Sequence, residues 1–206
     1  MFAWDIAAAS LALWALASFS LARSAETRAA RKRPPLSWPA IAAASFVGVA
    51  ALASRATPAN AAACGLACIG LVVAADSDAR TGYLFDAVTL PAALLVTAAV
   101  IAAGSTLEAA CGVALIVGAF GAIVLFSNGR LMGLGDVKAM FALGAAFGPL
   151  ESLVAIFAAC ISGIVAASLA GNLRPGARLS FGPHLAAGSA FALVAGDGIV
   201  HHWMGL

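Results

Sequence analysis

The chain has 206 residues, of which 63% are hydrophobic and 10% are charged, and its formal net charge is +2. Its mean hydropathy of +1.03 lies far above that of soluble globular domains, so the composition excludes a soluble enzyme or binding module. Nearly every stretch between polar breaks is long enough to cross hydrocarbon. We therefore predict a single integral membrane domain over residues 1–206.

Hydropathy divides the chain into apolar segments that are candidate membrane helices. The eight segments are about 2–22, 39–54, 58–75, 87–103, 107–127, 137–150, 152–171 and 184–200. Two of them, 39–54 and 137–150, are shorter than the ~20 residues of an ordinary span. Abundant glycine and alanine favour close helix packing in lipid. The pattern predicts an all-α, polytopic transmembrane helix bundle of about eight spans, two of them short.

Basic residues fall almost entirely on one side of the predicted membrane. If eight segments cross it and both termini lie outside, all lysines and arginines except Arg55 lie in loops on the same side. Such an excess marks the cytoplasmic side of a membrane protein. We therefore predict that both termini lie outside. We also predict that residues 23–38 form a basic cytoplasmic loop, which contacts membrane lipid and not nucleic acid.

The first apolar segment is predicted to be a span and not a cleavable secretory signal. Its amino end carries Asp5 and no basic residue, whereas the basic cluster follows the apolar run. This order is the reverse of the one that a secretory signal requires.

Neither the cysteines nor the histidines predict a metal site or a disulfide. The cysteines lie inside apolar segments, as small core residues do, and Cys64 and Cys68 share a helix face beside other small residues. His184 opens the last segment and His201-His202 follow it, a placement typical of interface anchors without a third ligand. We predict no metal and no other cofactor. The cysteines are Cys64, Cys68, Cys111 and Cys160.

Acidic residues cluster at the predicted cytoplasmic ends of helices, where a carboxylate is costly enough to need a reason. Two of them have a structural reason: Asp86 can act as the N-cap of the 87–103 helix, and Asp76 can end the preceding span in headgroup water. The other two, Asp78 and Asp136, lie at similar depth on the same side and can meet.

Asp136 lies in the run Met132-Gly133-Leu134-Gly135-Asp136-Val137-Lys138, between two apolar segments. Glycine permits unusual backbone angles and close approach of another chain, which suits a carboxylate that must meet an extended peptide. A flexible turn with an N-capping aspartate is the alternative interpretation. Asp78 opens a second polar run that continues to Pro91.

These two runs resemble the motifs of the prepilin peptidases, the GxGD-type aspartic membrane proteases. Residues 133–138 match the family's Gly-X-Gly-Asp-X-Lys motif at every fixed position. Ser180-Phe181-Gly182-Pro183-His184-Leu185 resembles a weaker third signature before the last helix. The resemblance spans about Asp76 to Ala195, so the motif-bearing core is predicted at about 58–200, and residues 1–57 add two further spans.

The resemblance implies that Asp78 and Asp136 are the catalytic aspartates. It also implies that Gly133, Gly135 and Lys138 support them. The eight-residue step from Asp78 to Asp86 resembles the family's interval, which favours Asp78 over its neighbour Asp76. Phe85-Asp86 departs from the residues that the family usually has at this turn. Substrate-binding residues do not follow from the motifs.

The resemblance also implies an activity: hydrolysis of the short basic leader of type IV pilin-like precursors, at the cytoplasmic face of the inner (plasma) membrane. The chain lacks the insert with two Cys-X-X-Cys pairs that bifunctional members carry. It therefore resembles the short form of Tad- or Flp-type pilus systems, and no N-methyltransferase activity is assigned. The oligomeric state does not follow from the motifs.

The predicted mechanism follows from paired carboxylates, because two neighbouring acids cannot both ionise cheaply and one keeps its proton. The ionised aspartate activates water, and the protonated one donates to the scissile carbonyl oxygen. Three alternatives stay open: a GxGD protease that cuts inside spans, a small proton-coupled transporter and a non-catalytic pilus-assembly subunit. The first usually carries Tyr-Asp and Pro-Ala-Leu motifs, and the second predicts acids near mid-span.

Overall fold

The computed structural model describes residues 38–55, 57–84, 86–171 and 180–205, with the backbone alone at residues 38, 39 and 87. These residues form helices and connecting turns, which confirms the predicted all-α class. The helices are α1 (Trp38–Ser54), α2 (Pro58–Thr81), α3 (Asp86–Ala103), α4 (Thr106–Ser127), α5 (Leu134–Leu169) and α6 (Gly182–Met204). The predicted segment 2–22 and the basic loop up to residue 37 lie outside the described residues.

Within the described residues, four helices are long and apolar enough to cross a membrane: α2, α4, α5 and α6. Two shorter apolar stretches, Ala40–Ser54 and Val88–Ala103, lie in α1 and α3. The helices begin and end close to the predicted segments. The count of about eight spans and the outside termini are not confirmed and stay predictions.

Helix α5 is sharply folded at Gly148, which has the non-helical angles φ 67° and ψ −172° and precedes Pro149. The Ser152 hydroxyl donates a 3.2 Å hydrogen bond to the carbonyl oxygen of Leu143, nine residues earlier. A straight α-helix would place these residues about 13.5 Å apart along its axis. Residues 134–147 and 149–169 therefore form two limbs of a hairpin. The predicted break at residue 151 lies three residues beyond the turn.

Helix α2 is the centre of the bundle and packs against α1, α3, α5 and α6. Over its most apolar 18 residues it is 72% buried, against 22% for α4. Thr57 caps its start, because the Thr57 hydroxyl accepts a 3.3 Å hydrogen bond from the Asn60 amide, and Pro58 fits the first turn. Alanine, glycine and cysteine line α2, so neighbouring helices can approach its backbone closely.

Helices α4 and α5 touch through their backbones. A Cβ on Gly112 of α4 would overlap the carbonyl oxygen of Gly144 in α5, and a Cβ on Gly144 would lie 2.9 Å from the Gly112 oxygen. Any side chain larger than hydrogen at either position would push the helices apart. This contact holds the first limb of α5 against α4, while the second limb packs on α6, where Gly188 contacts Ala155 and Ala159.

The hairpin gives the bundle two chemically different ends. At the end that contains Gly148, Arg55 binds Glu151 through two hydrogen bonds of 3.0 and 2.6 Å, and its guanidinium lies 5.3 Å from the Phe147 ring centre. Asp78 and Asp136 lie at the opposite end. The predicted separation of Arg55 and Glu151 from the Asp78–Asp136 end agrees with this arrangement. Which end faces the cytoplasm stays a prediction.

Candidate functional site

Asp78 lies in the last turn of α2 and is buried, with 7% of its surface exposed. Its Oδ2 atom accepts a 2.6 Å hydrogen bond from the Ser180 hydroxyl and a 2.9 Å bond from the Gly182 amide. Gly182 comes this close because it has no side chain: a Cβ there would lie 2.8 Å from Oδ2 and 3.0 Å from the Asp78 Cβ. The segment that enters α6 therefore closes over Asp78.

The end of α2 is determined by Gly82. Its φ of 71° is in the left-handed region, and its amide donates a 2.8 Å hydrogen bond to the Asp78 carbonyl oxygen. The hydroxyl of Thr81 donates to the Ser77 carbonyl at 2.8 Å, and the Ser77 hydroxyl donates to the Tyr83 carbonyl at 3.4 Å. These bonds end α2 at Thr81, within one turn of Asp78. The chain then passes α5 before it enters α3.

Asp136 lies in the first turn of α5 and is partly buried. Gly133 caps this helix in an extended conformation, and its backbone is within hydrogen-bonding reach of the Asp136 carboxylate. Asp78 is close enough that its negative charge acts on Asp136. The structure therefore brings the two predicted catalytic residues together at one end of the bundle. Their catalytic role stays a prediction.

The motif around Asp136 is joined to the loop after Asp78 by two contacts. Gly135 packs against Leu84, since a Cβ on Gly135 would lie 3.1 Å from the Leu84 Cβ. The Lys138 ammonium group binds both carboxylate oxygens of Asp86, at 2.8 and 2.9 Å. Asp86 is the first residue of α3 and not the residue before it, and its carboxylate binds Lys138; the predicted N-cap role is not confirmed.

Asp76 is placed differently from Asp78, although the two are neighbours on α2. The Arg80 guanidinium lies 3.1 Å from Oδ1 and 2.9 Å from Oδ2 of Asp76, in an i,i+4 ion pair. Asp76 is thus neutralised on its own helix, whereas Asp78 is directed at Ser180 and Gly182. This difference supports the choice of Asp78 as the partner of Asp136.

Ser180 and Gly182 are the site residues whose role the sequence did not predict. They belong to the weak third signature before α6, which is the only signal that could have indicated them. Their bonds to Asp78 join residues 102 and 104 positions apart, and such a contact depends on how α6 packs against α2. Gly133 and Gly135 come directly before Asp136, and Lys138 follows it by two residues. Their supporting role stays a prediction.

Within the part of the chain that the structure describes, no group of three or more histidine, cysteine or acidic side chains could hold a metal ion. The His184 ring lies 3.0 Å from the Ser162 hydroxyl, and Cys64 donates to the Ala146 carbonyl at 3.3 Å. The polar groups that the structure places at the site are the two carboxylates, the Ser180 hydroxyl and the Gly182 amide.

Fold and site together define a helical membrane protein with a carboxylate pair at one end of its bundle. Residues 65–168 match the type IV leader peptidase family, a range that covers about half of the chain and contains Asp78, Asp136 and Lys138. The chain belongs to this family, and its activity is that of a peptidase. No curated protein and no solved structure matches the chain.

Proposed function

We propose that the protein is an aspartic endopeptidase that removes the basic leader of type IV pilin-like precursors at the cytoplasmic face of the inner membrane. The observation that carries this proposal is that Asp78 and Asp136 lie at the same end of the bundle, where Gly135 packs on Leu84 of the loop after Asp78 and Lys138 binds Asp86. Both residues lie inside the range that matches the leader peptidase family. Paired carboxylates can hydrolyse a peptide bond without a metal or an acyl-enzyme.

The pair shares a single proton, because two adjacent negative charges are unfavourable in a partly dehydrated site. The ionised carboxylate removes a proton from water, whose oxygen attacks the scissile carbonyl carbon. The protonated carboxyl donates to the carbonyl oxygen. When the tetrahedral intermediate collapses, the C–N bond breaks and the leaving nitrogen takes the proton that one carboxyl now holds. The other carboxylate takes a proton from a hydroxyl of the intermediate, so the pair returns to its starting state with one proton.

The cytoplasmic location and the substrate class rest on charge and on the family. Arg80, Arg130 and Lys138 belong to the acidic-pair end, whereas Arg55 lies at the opposite end with Glu151. The positive-inside rule therefore favours a cytoplasmic site. The absence of Cys-X-X-Cys pairs from the sequence favours the short, Flp-type form without methyltransferase activity.

The position of the acids favours a peptidase over a proton-coupled transporter. A proton relay requires ionisable groups along a path through the membrane. Asp78 is in the last turn of α2 and Asp136 is in the first turn of α5, so both lie at helix ends. In the predicted orientation, helix ends are the part of the bundle that a leader peptide at the membrane surface would approach.

A cleavage assay in membranes tests the proposal. A Flp-type precursor is co-expressed with the wild type or with Asp78→Asn, Asp136→Asn or Asp76→Asn, and the precursor and mature forms are separated by mass. We expect the precursor to accumulate with the Asp78 and Asp136 variants. Asp76→Asn should still process it, because Asp76 pairs with Arg80 and not with Asp136. Equal cleavage by all four proteins would exclude the aspartate mechanism, and no cleavage by the wild type would exclude this substrate class.

A further inference from the structure

We propose that Ser180 and the backbone amide of Gly182 are positioning groups that hold Asp78 as the ionised member of the pair, so that Asp136 carries the shared proton. The inference deepens the proposed function and rests on it. Ser180 and Gly182 lie beyond residue 168, where the match to the peptidase family ends.

The geometry at Oδ2 of Asp78 carries the first step. The Gly182 amide at 2.9 Å can only donate a hydrogen bond, so this oxygen must accept. The Ser180 hydroxyl is 2.6 Å away, a distance typical of a hydroxyl that donates to a charged carboxylate. Two donors on one oxygen favour the ionised carboxylate over the neutral acid. Because Asp78 is buried, these donors replace water that the carboxylate has lost.

The surroundings of Asp136 carry the second step. The Asp136 carboxylate lies beside Gly133, since a Cβ on Gly133 would be 3.7 Å from its Oδ2 atom, and the negative charge of Asp78 acts on it. Among the described residues, Arg80 pairs with Asp76 on α2, and Lys138 pairs with Asp86 between α5 and α3. With Asp78 ionised, a second negative charge beside it is unfavourable. The shared proton therefore resides on Asp136.

This assignment gives each aspartate one role in the reaction. Oδ2 of Asp78 is occupied by its two donors, so Oδ1 accepts the proton that water loses as the water oxygen bonds to the scissile carbon. Asp136 gives its proton to the carbonyl oxygen. On collapse, the proton on Asp78 moves to the leaving nitrogen as the C–N bond breaks, and Asp136 recovers a proton from a hydroxyl of the intermediate. One water is consumed and both aspartates return to their starting states.

Kinetics of Ser180 variants test the positioning role in membranes with a Flp-type precursor. Ser180→Ala should lower kcat about ten-fold with little change in KM, since a hydrogen bond to a charged group is lost. The acidic limb of its pH profile should move to higher pH, because the ionised form of Asp78 has lost a donor. Ser180→Thr keeps the hydroxyl and should restore the wild-type rate and profile.

Ser189→Ala is the matched control, because Ser189 is a buried serine of α6 whose hydroxyl donates to the Ala186 carbonyl at 2.8 Å, away from Asp78. It should leave both the rate and the pH profile unchanged. A Ser180→Ala protein with the wild-type rate and profile would overturn the inference. Equal losses in Ser180→Ala and Ser189→Ala would also overturn it, because they would indicate a general packing effect.

A second readout does not depend on cleavage. Dicyclohexylcarbodiimide adds to protonated carboxyl groups in membrane proteins, and the modified peptides are identified by mass spectrometry. Asp136 should be labelled in the wild type, and labelling of Asp78 should rise in Ser180→Ala but not in Ser189→Ala. Unchanged labelling of Asp78 in Ser180→Ala would contradict the inference. If the wild type fails to cleave the precursor, the proposed function fails, while the labelling still decides which aspartate holds the proton.

Discussion

The ammonium group of Lys138 binds both carboxylate oxygens of Asp86, a residue 52 positions earlier in the chain. Asp86 opens α3 directly after the loop that follows Asp78, and Lys138 lies two residues after Asp136. The ion pair therefore ties together the two stretches of chain that carry the acidic pair. The ion pair positions these stretches and adds little to the stability of the protein, because both side chains are about half exposed.

A double-mutant cycle on Lys138 and Asp86 should separate the effect of the ion pair on activity from its effect on stability. Lys138→Ala and Asp86→Ala should each lower precursor cleavage severalfold, because the loop after Asp78 loses its attachment to α5. Each should change the free energy of unfolding by less than about 1 kcal/mol. The double variant should be no less active than the less active of the two single variants, since the second substitution has no contact left to remove. Additive losses of activity would show that the residues act independently.

At the other end of the bundle, loss of one partner from the Arg55–Glu151 pair should destabilise the protein strongly. Both side chains are largely buried, at 13% and 15% exposure, so Glu151→Gln leaves a cation without its partner. We expect a loss of about 3 kcal/mol, measured by unfolding in detergent or in lipid nanodiscs.

The double variant Arg55→Leu with Glu151→Leu is the control for this prediction. It removes both charges and should recover much of the lost stability. It should also cleave the precursor normally, because the pair lies at the end of the bundle opposite Asp78 and Asp136. Loss of cleavage in a stable double variant would mean that the two ends are coupled.

Two glycines of α4 should respond in opposite ways to alanine. At Gly112 the added methyl group would meet the backbone of Gly144 and Gly148, so Gly112→Ala should destabilise by about 2 kcal/mol or more. At Gly118 no atom lies within 4 Å of the added group, and alanine favours the helix, so Gly118→Ala should be neutral or slightly stabilising. Thermal unfolding of both variants in the same detergent is the measurement. Equal stabilities would contradict the close contact between α4 and α5.

The turn of α5 should tolerate no residue but glycine at position 148. Its angles lie in a region that other residues rarely adopt, and a Cβ there would lie 2.8 Å from the Cγ of Glu108. Gly148→Ala should therefore destabilise by about 2 kcal/mol or more, through backbone strain and a steric clash. The double variant with Glu108→Ala should remove the clash and keep the strain. Complete rescue would show that the backbone at Gly148 is not strained by alanine.

Much of the fold could be predicted because helices in a membrane protein are marked by apolar runs. The six described helices begin and end near predicted segments, and the acids Asp78 and Asp136 were expected at the same end. The turn at Gly148 was predicted three residues too late. A run of glycine, proline and leucine does not specify which residue adopts the unusual angles.

The contacts between distant segments could not be predicted in the same way. The Ser180–Asp78 and Lys138–Asp86 pairs depend on which helices are neighbours, and hydropathy marks the helices without specifying how they pack. Composition does not predict the central position of α2 either, since helix α4 has a higher mean hydropathy than α2 and is far less buried.

The position of Asp78 and Asp136 at helix ends determines from which side water reaches the two carboxylates. A protease whose carboxylates lie in the middle of its spans must admit water into the part of the protein that lies at the depth of the hydrocarbon core. In the predicted membrane orientation, the last turn of α2 and the first turn of α5 lie at the membrane surface, so water would reach the pair from the headgroup layer. In that orientation the site requires no water channel through the middle of the bundle, where large side chains such as Ile69, Met140 and Leu143 are fully buried.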